Sequence, residues 1–405
     1  MTFGQYLTSR SIFGTICFLS LLTLGTLYTQ LYKTSIIVES TTIKPPVVED
    51  FRSGNNEETS PSKIILSFSH SRWIKEWVGQ RWGTSDVFQS CPSSKDCILT
   101  KDKSLINKAD AVIYNWLTTC KLRKRHKKGQ VWILFEFESP DYYASYSNKN
   151  CWRNDVVNWT FTYRRDSDFS LVHGKFVPHH TGYKLRDNYQ LLRGKTKTAV
   201  GFISHCKAPS KRDDFVRMLR KYGVDIDIIG KCGNLKCGGQ FESKWKGVWN
   251  VTGGHEDHCF DVLDHKYKFY LSLENSLFDD YVTEKSLHLV LRRQIVPLIR
   301  DGANRSLYHP PHSYLDTKDF KSVESLAKRL KYISNNFDEY LKYFEWRKHY
   351  SIETISGVLQ SVYCEMCHRM HHQDLYRRVY RNVEKFYSKS HEKLTYNILN
   401  HFPKI

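Results

Sequence analysis

Beyond residue 62 the apolar positions fall into short runs separated by polar stretches. The runs at 64–68, 97–100, 111–114 and 131–137 are of strand length, and polar or helical segments lie between them. This alternation predicts a βαβ layer on a parallel sheet. A second block of the same kind starts near Lys195. It carries strand patterns at 198–204, 224–229 and 295–299, and a helix at 212–222 with Phe215, Met218 and Leu219 at helical spacing. Residues 322–333 and 337–344 read as further helices, and 231–256 as glycine-rich and irregular. The two blocks predict two Rossmann-like α/β domains, 63–194 and 195–360, followed by a segment 361–405 that opens with a Cys-x-x-Cys pair and continues as a basic, aromatic helical tail.

A different pattern occupies the N-terminus. Residues 11–32 are apolar and uncharged, long enough to span a bilayer. They predict an uncleaved signal-anchor helix rather than a cleaved signal peptide. Residues 1–10 would be a cytoplasmic tail and 33–62, rich in Thr, Ser, Pro and Glu, a flexible stem. The short tail before the anchor and the large remainder after it favour a type II arrangement with the bulk in the lumen. The eleven cysteines agree: with Cys17 in the anchor, ten remain, an even number that an oxidising compartment would allow to pair. Sequons at Asn158, Asn250 and Asn304 would be glycan acceptors there. The formal net charge of +19 by itself admits nucleic acid, an acidic membrane surface or anionic substrates. The cluster KLRKRHKK at 121–128 reads as a solvated face or a partner patch, and no nucleic-acid motif accompanies it.

Candidate chemistry concentrates at 267–285, YKFYLSLENSLFDDYVTEK. A strand-type run up to Leu273 gives way to Glu274, Asn275, Asp279, Asp280, Tyr281, Glu284 and Lys285, and the apolar spacing beyond predicts a half-buried helix. A strand entering a polar turn and then a helix is where α/β proteins place ligand sites, and helix-entry amides with a lysine suit an anion. The same letters also fit a plain strand-turn-helix corner with a solvated acidic face. Asp225-Ile-Asp227 has the spacing of a metal-binding pair but lies inside a strand pattern. Cys364 and Cys367, with His368, His371 and His372 beyond them, have the residue types of a zinc site but no second pair of matching kind.

FYLSLENS followed by DYVTEK resembles the donor-site signature of the α1,3-fucosyltransferases, inverting enzymes that use GDP-fucose. FESP at 137–140, NWTFTYRRDSD at 158–168, PPHSYLDTKDF at 310–320 and YFEWR at 343–347 extend the resemblance in the same order, over residues 62–370. It implies a GT-B fold with the donor held by the C-terminal domain and the acceptor by the N-terminal one. It implies a Golgi type II membrane enzyme that moves fucose to the 3-hydroxyl of GlcNAc on glycoprotein glycans, on the N-glycan core or a Lewis-type antenna. Glu138, in FESP, would be the general base, with Glu136 its near competitor. Arg212 and Lys285 would stabilise the departing diphosphate, and Asn275, Tyr281 and Glu284 would complete the donor pocket. Tyr163 and His173 are acceptor-side candidates. No cofactor is required in this reading; a divalent cation would act as a stimulant. Cys364 and Cys367 would pair with Cys91 and Cys97.

The chain departs from the family pattern at Val172-His173-Gly174, where proline-tyrosine-glycine is usual, and at Ser286–Leu289 and Arg293. These changes point to a divergent member with its own acceptor preference. The rival readings are a catalytically weak or inactive glycan- or GDP-binding homologue, a transferase for another nucleotide sugar, and a charge-driven nucleic-acid or heparin binder.

Overall fold

The computed structural model describes residues 61–68, 86–115, 125–141, 155–179, 182–233, 235, 260–287 and 290–388 of the 405. The tail, the anchor, the stem up to residue 60, Asn250, and Cys17, Cys120, Cys151, Cys237 and Cys259 lie outside them. Among the described residues no helix is long and apolar enough to cross a membrane. All of them belong to one unit of the chain, Ser60–Ile405.

The first sheet contains β1 (Lys63–Ser67), β2 (Cys97–Thr100), β3 (Ala111–Tyr114), β4 (Val131–Glu136), β5 (Trp159–Thr162) and β6 (Phe169–Ser170). All pairings are parallel, in the order β2-β1-β3-β4-β5-β6. Every residue of β3 and β4 is buried, because the sheet is covered on both faces. That explains why these strands read as unbroken apolar runs rather than as alternating ones. β7 (Gly174–Pro178) leaves the sheet and pairs antiparallel with a late strand, β13 (Tyr350–Thr354).

The second half continues with α1 (Tyr189–Arg193), β8 (Lys197–Phe202), α2 (Arg212–Lys221), β9 (Ile226–Ile229), α3 (Asp261–His265), β10 (Tyr267–Leu273), β11 (Val296–Arg300), β12 (Leu315–Asp316), α4 (Val323–Asn335) and α5 (Phe337–Leu341). Its sheet is also parallel, ordered β12-β11-β10-β8-β9, which puts β10 at the centre. α4 starts at a Ser322/Ser325 capping box and buries Val323, Leu326, Ala327, Leu330 and Ile333 against β8, β10 and β11. The helix expected over 337–344 stops at Leu341 and continues as a 3-10 turn, Lys342–Lys348.

The chain then returns to its first half. α6 (Ile355–His371) buries Val358, Leu359, Val362, Met366 and Met370 in one core with Ile65, Leu99, Ile113 and Phe161 of the first sheet. Disulfides Cys91–Cys364 and Cys97–Cys367 fasten it there, and α7 (Val383–Ser388) follows. In the resulting joint Phe278 and Tyr281 of the second half share a core with Tyr163, Tyr380 and Tyr387.

One expectation fails next to the site. The helix expected beyond Lys285 is absent: among the described residues, 284–287 and 290–294 form turns, closed by a wide Leu291 N–H to Ser286 C=O bond of 3.0 Å. Leu287, Val290 and Leu291 are buried as their apolar spacing requires, but burial does not force α geometry. The helix-entry argument for an anion at Lys285 therefore falls; its position has another cause.

Candidate active site

Glu138 stands just past the C-terminal end of β4, the edge at which parallel sheets carry their sites. Glu136, its near competitor in the sequence, is 3% exposed and turned to the backbone: its Oε1 accepts the amides of Phe137 at 2.7 Å and Glu138 at 3.0 Å. It fixes the turn that presents Glu138. The Glu138 carbonyl accepts the Tyr387 hydroxyl, and its Oε2 accepts the Tyr281 hydroxyl at 3.1 Å. The Tyr281 ring is buried and lies edge-on to Tyr163, with centroids 5.0 Å apart. Ser139 donates to Ser276 at 2.7 Å, a second tie between the halves. Tyr281, expected in the donor pocket, is thus the partner of the carboxylate. Tyr163, expected on the acceptor side, is buried and packs edge-on against Tyr281.

The turn after β10 supplies a second carboxylate group. Glu274 is 2% exposed and accepts the Thr283 amide at 2.8 Å and the Thr283 hydroxyl at 2.9 Å. Lys285 Nζ lies 3.0 Å from Glu274, 3.2 Å from Glu284 and 2.6 Å from Thr283 Oγ1. These bonds, rather than a helix start, hold the ammonium. Glu274 stood among the crowded polar residues of this stretch in the sequence, but nothing there assigned it as the anchor.

Arg212 opens α2 after Lys211, whose φ of 54° is left-handed. Its guanidinium is buried and donates to the carbonyls of Leu273 at 2.9 Å and His205 at 2.8 Å, tying the ends of β10 and β8 together. Ser210 laces the same loop to the Glu274 carbonyl at 2.6 Å and the Asn275 carbonyl at 2.9 Å. Disulfide Cys206–Cys232 joins this loop to the one after β9, a pairing that the cysteine count alone left open. Two buried atoms here have no hydrogen-bond partner among the described residues: Arg212 Nε and Asn275 Oδ1.

The charges interact strongly. Burial pushes the Glu138 carboxyl above its ordinary range; Lys285 and the Tyr281 hydroxyl oppose that, while Glu284 and Glu274 add to it. Burial raises Glu274 as well. For Glu284 burial works in the same direction, yet Lys285 and His173 hold it below the ordinary value. For Lys285 burial works against the charge, but Glu274 and Glu284 keep it protonated above the ordinary value. His173, the other acceptor-side candidate, is buried, with its ring 6.1 Å from that of Phe137 and its charge felt by Glu284.

The YRRDSD stretch forms a corner: Arg164 pairs with Asp166 at 2.8 Å, the Arg165 amide donates to Asp280 at 3.1 Å, and Asp168 binds Tyr380 at 2.8 Å and Arg378 at 3.1 Å. Gly302 is required nearby, since a Cβ there would meet the Phe278 carbonyl oxygen at 2.3 Å. The departure at Ser286 is matched by a partner, His309 Nε2 at 2.9 Å. Asp225 and Asp227 pair with Lys197 at 3.2 and 3.7 Å, and Asp227 also accepts the Tyr267 hydroxyl at 2.7 Å, as structural groups. Cys97 and Cys367 lie near His371, but their sulfurs are bonded to each other and offer no thiolate to zinc. Asn158 Oδ1 accepts the Trp132 amide at 3.0 Å and its Nδ2 donates to the Arg378 carbonyl at 2.9 Å; Asn304 is exposed. In the basic cluster Arg125 donates to the Gln130 carbonyl at 2.7 Å and Lys127 pairs with Asp110 at 2.6 Å.

Two family models match the chain: the N-terminal fucosyltransferase model over residues 60–174, and the C-terminal model of glycosyltransferase family 10 (fucosyltransferase) over residues 192–386. The chain is 31% identical to alpha-(1,3)-fucosyltransferase C of Drosophila melanogaster over 355 residues, covering 80% of this chain and 77% of that one. It is 32% identical to alpha-(1,3)-fucosyltransferase fut-1 of Caenorhabditis elegans over 322 residues, covering 77% of this chain and 67% of that one. Among solved structures, an alpha1,3-fucosyltransferase crystallised with GDP-fucose superposes with a TM-score of 0.41 at 14% identity, covering 78% of this chain and 94% of that one.

Proposed function

The chain belongs to glycosyltransferase family 10, the fucosyltransferases, and from that premise we propose that it transfers fucose from GDP-fucose, with inversion, to the 3-hydroxyl of GlcNAc on glycoprotein glycans. The observation that carries this reading is the meeting of two strand ends: Glu138 from β4 bonded to Tyr281 from the turn after β10, beside Glu274, Glu284 and Lys285. In a GT-B arrangement of the two halves, an acceptor lies against the first sheet and the donor against the second.

Inversion is an in-line displacement. The acceptor oxygen attacks the anomeric carbon, the bond to the β-phosphate oxygen breaks, and the acceptor proton passes to Glu138 Oε. Burial, which raises this carboxyl, moves it toward the working pH of a general base. Lys285 stays charged and offers its ammonium to the growing negative charge on GDP. Arg212 would support the diphosphate from beneath, its guanidinium holding the ends of β8 and β10, and Asn275 would border the donor pocket. Glu284 accepts hydroxyls of fucose or ribose. No cofactor has a step in this scheme, and a divalent cation would stimulate rather than be required. An N-terminal anchor at 11–32 would hold the enzyme in the Golgi membrane with this region in the lumen.

The test is transfer by a secreted fragment, residues 63–405, from GDP-fucose to free N-glycans and lactosamine acceptors, with and without EDTA. Fucose in α1,3 linkage to GlcNAc is expected, and linkage analysis separates core from antenna. Transfer that survives EDTA supports the Lys285 and Arg212 clamp. GDP binding without transfer to any acceptor would favour the non-catalytic homologue instead.

A further inference from the structure

Among the described residues α7 is the last helix, and it comes after both sheets in the chain, yet one of its side chains reaches Glu138. Residues 376–380, just before it, are laced to the start of β5. Trp159 Nε1 donates to the Tyr376 carbonyl at 3.0 Å, Asn158 Nδ2 to the Arg378 carbonyl at 2.9 Å, and the Tyr380 amide to the Val157 carbonyl at 2.8 Å. The Tyr380 hydroxyl donates to Asp168 at 2.8 Å. This fastening delivers Val383 and Tyr387 of α7, both fully buried, into the joint core. A phenol taken into such a core keeps a hydrogen-bond partner, since an unpaired buried hydroxyl is costly. Here the Tyr387 hydroxyl donates to the main-chain carbonyl of Glu138.

Glu138 is thereby held at both ends. Its carbonyl accepts from Tyr387, its Oε2 accepts the Tyr281 hydroxyl at 3.1 Å, and its amide donates to Glu136 at 3.0 Å. The two tyrosines are joined through a third. Tyr163 meets both edge-on, with ring centroids 6.0 Å from Tyr387 and 5.0 Å from Tyr281. Three parts of the chain, the first half, the turn after β10 and the C-terminal segment, so converge on one carboxylate. A general base acts only within hydrogen-bond reach of the proton it takes. Anchoring the carbonyl fixes the peptide plane after Glu138, and with it the direction in which the side chain leaves the backbone.

We propose that Tyr387 is a positioning residue for the transfer: through the Glu138 carbonyl and the Tyr163 and Tyr281 rings, it holds the carboxylate where the acceptor hydroxyl must meet it. This rests on the transferase reading with Glu138 as base. Tyr387→Phe in the full chain keeps the ring in the core and removes only the hydroxyl. It should lower kcat about tenfold, with GDP affinity and the KM for GDP-fucose unchanged. The acidic limb of kcat/KM should move to lower pH, because burial is what raises this carboxyl and a loosened turn admits water to it. In Glu138→Gln, where no base is left to position, adding Tyr387→Phe should change the residual rate by less than about twofold. Tyr380→Phe is the control: it removes a hydroxyl of the same core, one bonded to Asp168, and should lower Tm by as much while leaving kcat unchanged. Wild-type kcat in Tyr387→Phe would overturn the proposal. So would an undiminished loss in the Glu138→Gln background, or an equal loss in Tyr380→Phe, since either assigns the effect to the core at large. Absence of turnover in wild type would sink the transferase reading alone. The Glu138 carboxyl, followed by carbon-13 NMR of labelled glutamate, should then still titrate at lower pH in Tyr387→Phe than in wild type, and an unmoved titration would overturn the positioning.

Discussion

Two carboxylates on one strand end take opposite parts. Glu136 is closed off by the amides of Phe137 and Glu138, while Glu138 is half-buried and meets a hydroxyl from the other half of the molecule. Their spacing of two puts both on one strand face, so the sequence alone offered either. Glu138→Gln is expected to lower kcat by about 10²–10⁴ while leaving GDP binding near wild type, measured by steady-state rates and calorimetry. Turnover like wild type would remove Glu138 from the mechanism. The base works only deprotonated, and its folded pKa is raised. The acidic limb of kcat/KM is therefore expected to lie above the range of an ordinary glutamate, with activity lost as pH falls through it. In Glu138→Gln the residual rate should lose that limb.

At the scale of the element, the turn 274–285 is organised by a buried anion rather than by a helix. Glu274 holds Thr283 and Lys285, so the loop's shape and its positive charge depend on one another. Lys285→Ala should weaken GDP binding at least tenfold and also destabilise the fold by about 3 kcal/mol, because it leaves Glu274 buried without its cation. Pairing Lys285→Met with Glu274→Gln should recover most of that stability in urea titrations but none of the GDP affinity. Recovered affinity in the double variant would show that the lysine serves only the loop. The polar crowding of this stretch was legible along the chain. The failure of the expected helix was not, since Leu287, Val290 and Leu291 satisfy the same burial in turn geometry.

For the molecule as a whole, α6 decides which half the C-terminal segment belongs to. It packs on the first sheet, and disulfides spanning 273 and 270 residues close almost the same loop. Chain entropy then makes them strongly non-additive. With one bridge in place the other closes only a short ring, so losing either should cost about 3 kcal/mol, whereas losing both frees the long loop and should cost more than twice that. Thermal unfolding of Cys91→Ser/Cys364→Ser, Cys97→Ser/Cys367→Ser and the fourfold variant reads the difference. Additive losses would mean that the two bridges constrain separate parts of the unfolded chain.

The sequence by itself determined the strands and their parallel class, because sheets covered on both faces need unbroken apolar runs such as 111–114 and 131–135. It also determined the family, through letters packed into one stretch between Tyr267 and Lys285 and a few ordered motifs. Only the tertiary structure decided which of Glu136 and Glu138 faces the other half, that Tyr281 serves the carboxylate, that Arg212 ties two strand ends, and that Cys206 pairs with Cys232. The physical reason is range. Burial and hydrophobic periodicity are properties of neighbours along the chain, whereas these roles arise from groups that folding brings together, as with Glu138 and Tyr281, 143 residues apart.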